Sequence, residues 1–214
     1  APLREACAQL AAWSRTRSEP LVLALGARIG TLSEPAFAQA LNAILLETHF
    51  EPRCLEICII STDEQVSDAS ITALRHLKNC GIRFTLSAAS PASARLAWIR
   101  RLPLDSLEVP AHLVQDVVAD PEGIAIVRAL IARAHTLRLV VCAKGVDSAH
   151  SASVMVALGC DLILGPLFGA PEPAGHFEAL LAADRRLDPA LLRGPRPERT
   201  LLLVDDEDNI LSSL

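Results

Sequence analysis

Helical and strand-like hydrophobic periods alternate along this chain at a spacing of roughly 25 to 35 residues, and this alternation constrains the fold more than any other feature. Strands separated by helices pair in parallel, because a parallel crossover needs a dozen or more residues whereas an antiparallel turn needs only a few. The chain therefore reads as α/β. Residues 2–16 are amphipathic through Leu3, Cys7, Leu10 and Ala11, and the helix must stop before Pro20; LVLAL at 21–25 is then a short apolar strand. Ser33, followed by Glu34 and Pro35, is the expected N-cap of a helix through Leu46. In the strand CLEICII at 54–60, Leu55, Ile57 and Ile59 share one face, and Glu56, Cys58 and Ile60 the other. The pattern continues with helix 66–79 ending at Gly81, strand 82–86, a helix over roughly 93–101 and strand 104–109. Helix 121–136, strand 137–143, helix 148–158, strand 160–164 and helix 174–183 follow.

With 214 residues, 51% of them apolar, the chain can build a sizeable core. Its net charge of −5 is spread over interspersed acids and bases, and aromatics make up 3% of the residues. Neither a basic footprint nor a base-stacking surface is present, so nucleic acid is not an expected partner. No charge-free run of about 18 apolar residues appears, and the start of the chain lacks the basic-then-apolar pattern of a secretion signal. No membrane partner is expected, and the expected location is cytoplasmic. Six cysteines, Cys7, Cys54, Cys58, Cys80, Cys142 and Cys160, show no C-x-x-C pair and no histidine at ligand spacing; they read as reduced, mostly buried thiols. From Asp184 to Thr200 the text becomes DRRLDPALLRGPRPERT, a surface linker by its prolines and arginines.

Several segments carry a resemblance. They are LREACAQLAAW at 3–13, GIRFTLSAASPASARLAWIRRLPLDSLEV at 81–109, DPEGIAIVRALIARAHTLRLVV at 120–141, LGCDLILGPLFGAPEP at 158–173 and FEALL at 177–181. In this order they resemble the frame of the EAL domain family, which hydrolyses the bacterial second messenger cyclic di-GMP, over about residues 2 to 182. The resemblance implies a TIM-like (β/α) barrel with ligands at the C-terminal ends of its strands. The barrel would be N-terminally incomplete, because the chain begins after the family's E-x-L-x-R motif.

The family's chemistry uses a metal-bound water, which requires converging oxygen ligands, a lysine and acids. The resemblance places Ala24 at the family's strand asparagine and Gly26 at the serine after it. It places Cys58 at the metal-binding glutamate, Ile60 at the threonine and Ser61 at the next glutamate. Ser87 and Ala88 stand for the metal-binding aspartate pair, Glu108 for the K-I-D lysine and Pro110 for its aspartate. Lys144 stands for the glutamate of E-G-V-E, with Asp147 nearby, and Leu164 for the glutamine before G-Y. On this reading no catalytic residue, metal site or cofactor is expected in the region, and cyclic di-GMP binding is unlikely. The expected function is a catalytically inactive signalling module that acts through contacts with other signalling proteins or a second copy of itself. A cyclic di-GMP phosphodiesterase and a non-hydrolysing cyclic di-GMP receptor are the alternatives.

LLLVDDEDNILSSL at 201–214 is similar to the opening of a response-regulator receiver domain, with Asp205 and Asp206 at the acids that help bind Mg²⁺ in a completed domain. A plain strand followed by an acidic turn is the other reading. The expected division is thus residues 1–183, 184–200 and 201–214. Three further possibilities attach to single residues. Lys144 at a strand end could form a Schiff base, although an ion pair with Asp147 or Glu108 is the stronger reading; Cys58 and Cys142 share inward parity and could approach as a redox pair, with packing as buried thiols the favoured reading. Glu56 and Arg83, also inward, are expected to form an internal ion pair.

Overall fold

A computed structural model describes residues 2–15, 17, 20–60, 66–87, 99–183 and 202–203, without the side chains of 116, 118, 119, 202 and 203. The chain divides into two compact units, residues 1–107 with 199–214, and residues 108–198.

In the first unit, α1 (Pro2–Ser14) buries Leu3, Cys7, Leu10 and Trp13, a single stripe at helical spacing. After it come β1 (Leu23–Arg28), the single turn α2 (Ile29–Leu32) and α3 (Pro35–Thr48). Helix α3 buries Phe37, Leu41, Ile44 and Leu45 and packs on α1. Each such side chain contributes about 1.5–3 kcal/mol on leaving water. Strand β2 (Leu55–Ile60) lies parallel to β1, with Leu23 facing Leu55 and Arg28 facing Ile60. Helix α4 (Asp68–Asn79) is capped by Ser67, whose hydroxyl accepts from Ser70 N at 3.0 Å, and returns the chain to β3 (Arg83–Ser87), parallel to β2. Gly81 makes that return with φ of 101°, a conformation other residues adopt at a cost of about 1–2 kcal/mol.

Strand β4 (Ser106–Val109) carries the division between the units. The second unit continues with α5 (Ala111–Ala119) and α6 (Pro121–Thr136), packed on each other, then β5 (Val140–Lys144), α7 (Ala149–Ala157), β6 (Leu162–Leu164) and α8 (Ala174–Ala182). Strands β5 and β6 are parallel, with Cys142 facing Leu162 and Lys144 facing Leu164, and β4 is the neighbour of β5 on its other side. Asp120 caps α6, and a reciprocal Ser148–Ser151 box caps α7.

The α/β class with parallel strands is the one that the alternation predicts. Three local expectations are corrected. The first strand runs from Leu23 to Arg28 rather than over 21–25, because its register on β2 carries it through Gly26, Ala27 and Arg28. Ser33 does not cap α3, which starts from Glu34; its hydroxyl instead donates to Ile29 O and to Ser70 Oγ, both at 2.8 Å, closing α2 and joining it to α4. Helix α5 has no counterpart in the sequence reading, since AHLVQDVVA behind a proline lacks a polar N-cap signal.

The segment expected to open a receiver domain contributes β7 (Leu202–Leu203), which pairs in parallel with Leu23 and Ala24 of β1. These described residues therefore give no support to a separate receiver strand. Asp205, Asp206, the linker at 184–200 and most of the helix expected over 93–101 lie outside the described residues. Among the described residues, no helix is long and apolar enough to cross a membrane.

Candidate functional site at the strand ends

In the first unit, the parallel register aligns the inward positions in layers. Ala24 stands beside Glu56, Gly26 beside Cys58, and Cys58 beside Thr85. Towards the N-terminal ends of the strands lies a polar chain: Thr85 Oγ1 donates to Glu56 Oε1 and shares a hydrogen bond with Ser106 Oγ. Arg83 Nη2 is 3.8 Å from Glu56 Oε2, which is the internal ion pair that strand parity predicts. Thr85 and Ser106 belong to the same network and were legible only as inward-facing hydroxyls in RFTLS and SLEV. Arg83 keeps two buried nitrogens, Nε and Nη2, without a hydrogen bond, so Glu56 answers a cation that is otherwise poorly solvated. The carboxylate of Glu56 is committed to this network.

Towards the C-terminal ends the same face opens. Glu56 is 8% exposed, Cys58 half-buried and Ile60 45% exposed. The groups offered there are the methyl of Ala24, the hydrogen of Gly26, the thiol of Cys58 and the hydroxyl of Ser87; Cys58 and Ser87 both take part in interactions within the protein. Ser61 and Ala88 lie outside the described residues.

In the second unit, Glu108 is buried on β4, Lys144 is half-buried at the end of β5, and Leu164 is half-buried at the end of β6. Glu108 and Lys144 are each engaged in an interaction within the protein. Asp147 turns away towards α7, accepting from Ser151 Oγ at 3.3 Å. The loops that follow β5 and β6 are joined: Val146 N donates to Leu164 O at 3.0 Å, and Leu167 N donates to Val146 O at 3.1 Å. Gly165 makes this approach possible, because a Cβ there would lie 2.3 Å from Val146 N and O. The glycines of KGVD and LGPL were visible in the sequence, but their role depends on two loops meeting.

Mg²⁺ dehydrates reluctantly and requires oxygen ligands in near-octahedral order. Among the described residues, no three His, Cys, Asp or Glu side chains converge so as to hold a metal ion. The first unit offers a thiol and a hydroxyl at its strand ends, and the second a buried glutamate beside a lysine-bearing strand. This donor set does not fit the metal that the resemblance implies.

Cys7 and Cys160 behave as protonated, weakly polar groups. Burial pushes the Cys7 thiol up to about 11 and the Cys160 thiol up to about 12, so both are protonated at neutral pH. Cys160 Sγ also donates to Leu162 O at 3.2 Å and Val141 O at 3.3 Å. All six cysteines are free, with Cys142 buried and Cys58 half-buried.

Parallel strands joined by helices, with candidate ligand positions gathered at their C-terminal ends, define an α/β domain of the barrel-forming type. Comparison with known proteins takes this further. The EAL domain family model matches residues 2–171, and the chain belongs to that family. It is 28% identical over 184 residues to the cyclic di-GMP phosphodiesterase NbdA of Pseudomonas aeruginosa, covering 86% of this chain and 24% of NbdA. Among solved structures, it is similar to the PaMucR phosphodiesterase in its c-di-GMP complex, with 26% identity and a TM-score of 0.76, covering 82% of this chain and 71% of that one. It is also similar to the EAL domain of Mycobacterium smegmatis DcpA, with 25% identity and a TM-score of 0.79, covering 86% and 84% of the two chains. The chain spans about a quarter of the length of the curated relatives it matches.

These similarities correct the expectation that cyclic di-GMP binding is unlikely, because a solved structure sharing this fold holds the nucleotide. The physical reason is that a binding cleft is set by the course of strands and loops as well as by metal ligands.

Proposed function

We propose that this EAL domain is a non-hydrolysing cyclic di-GMP receptor that passes the bound state on through contacts with other signalling proteins or a second copy of itself. The observation that carries the proposal is the make-up of the strand ends in each unit, Cys58 and Ser87 in the first and Glu108, Lys144 and Leu164 in the second, with no metal-holding group of His, Cys, Asp or Glu among the described residues. Phosphodiester hydrolysis of the metal-assisted kind needs a polarised water and stabilisation of the charge that develops on phosphate. Removing a single such contribution commonly costs about 3–4 kcal/mol of barrier stabilisation. The frame that surrounds these positions supports recognition of the nucleotide, as in the PaMucR complex.

A cyclic di-GMP phosphodiesterase is the second reading, favoured by the similarity to NbdA. Residues 201–214 enter the proposal as the start of a receiver domain in which Asp205 and Asp206 would help hold Mg²⁺; this rests on the sequence LLLVDDED. Calorimetric titration of the full-length protein with cyclic di-GMP tests the receptor reading. Saturable heat at one site per chain is the expected result, and no heat across the accessible range, with or without Mg²⁺, would overturn it.

A further inference from the structure

We propose that Lys144 is the residue through which the second unit recognises a phosphodiester anion, the charged part of a cyclic dinucleotide. The inference rests on the receptor reading above and adds to it the group that reads the ligand's charge.

The chain uses arginine eighteen times and lysine twice, at Lys78 and Lys144. Lys78 is paired with Asp105 just before the start of β4, away from the C-terminal strand ends. Lys144 is the last residue of β5, at the C-terminal end where ligands of parallel-strand folds bind, and it is half-buried. A lysine differs from an arginine in carrying a compact charge on a flexible stem, which suits a small rounded anion approached from below.

The backbone that bears Lys144 is held unusually firmly. Gly145 follows with φ of 82°, and a Cβ on it would lie 2.4 Å from Ala111 Cβ, so the first residue of α5 rests directly on this turn. One residue further, Val146 is bonded on both sides, to Leu164 O at the end of β6 and to Leu167 N in the segment after it. A strand, the start of a helix and a neighbouring loop thus fix the point from which the side chain departs. Positioning of this kind lowers the ordering cost of binding, because little backbone freedom remains to be lost.

The local carboxylates are compatible with an anion. Asp147 is engaged with Ser151 at the start of α7. Glu108 is 4% exposed on the neighbouring strand and is already engaged within the protein, as Lys144 is. An ammonium has three N–H donors, enough to serve a protein acceptor and a phosphate oxygen together. Where no metal-holding group is found among the described residues, this charge does for the phosphate what a bound metal would otherwise do.

The test is titration of the full-length protein with cyclic di-GMP in the presence of EDTA, comparing wild type, Lys144→Met and Lys144→Arg. Wild type is expected to bind, with affinity falling as salt is added; Lys144→Met should bind at least ~10-fold more weakly and lose most of that salt dependence, and Lys144→Arg should recover part of it. Equal affinity of Lys144→Met and wild type overturns the assignment and leaves the receptor reading standing. Absence of binding by wild type overturns both. Circular dichroism establishes that the variants fold; if Lys144→Met does not, the salt series on wild type decides, and an affinity that is unchanged between about 50 and 300 mM NaCl overturns the proposal.

Discussion

Glu56 shows how a residue can be placed correctly from the sequence while its partners are only half visible. Alternation in CLEICII put it on the inward face, and the same parity in the next strand put Arg83 beside it; the structure has them 3.8 Å apart. What the sequence did not announce is that Thr85 and Ser106 complete the network, since a threonine in a strand is ordinary and its hydroxyl acquires a role only when a neighbouring strand supplies an acceptor. The network yields a prediction. Glu56→Ala should destabilise the protein by on the order of 3 kcal/mol, because it leaves Arg83 buried without its counter-charge. The double variant Glu56→Met with Arg83→Met should recover most of that loss in urea denaturation. Additive losses would show that the two side chains are not coupled. The strand-end residues were legible in another sense. Cys58, Ser87, Glu108, Lys144 and Leu164 could be named from the frame around them, whereas the closeness of Gly165 to Val146 could not, because it arises between loops distant in sequence.

At the scale of elements, one device occurs twice. Before β4, Asp105 accepts from Phe84 N at 2.8 Å, its own N–H donates to Phe84 O at 2.8 Å, and Lys78 near the end of α4 pairs with its carboxylate. Before β6, Asp161 accepts from Val141 N at 2.7 Å, its N–H donates to Val141 O at 3.0 Å, and His135 near the end of α6 lies 2.9 Å from its carboxylate. Each aspartate joins the previous strand, the helix that leads into that strand and the start of its own strand, so the parallel register is pinned where a crossover returns. Both acids stand in segments that carry the family resemblance, RRLPLDSL and LGCDLIL, and their presence there is structural. Asp161→Ala should cost about 1–3 kcal/mol, since it strips a buried backbone N–H of its acceptor, and Asp161→Asn should recover part of this. Thermal unfolding measures the difference; a loss below about 0.5 kcal/mol would show that the clasp carries no weight. Elements with strong periodicity, such as α6, were legible to the residue. Those decided by neighbours were not: Ser33 resembles an N-cap until α2 forms in front of it, and α5 follows a proline with no polar cap.

For the molecule as a whole, the alternation of helices and strands already implied a parallel α/β domain, and the frame segments implied its family, which the match over residues 2–171 establishes. The sequence was misleading on the ligand, because an expected loss of metal ligands was read as loss of binding, although nucleotide recognition and hydrolysis make different demands on a cleft. At 201–214 the described residues are Leu202 and Leu203, which pair with β1, and Asp205 and Asp206 lie outside them. The central claim, a cleft that keeps the nucleotide and has lost the means to cleave it, is tested most directly by turnover. Full-length protein at a concentration that saturates with cyclic di-GMP is incubated with Mg²⁺ or Mn²⁺, and the linear dinucleotide is followed by chromatography. The account predicts intact cyclic di-GMP after prolonged incubation, with bound nucleotide recovered unchanged. Linear product that grows with enzyme concentration and stops on chelation would contradict it.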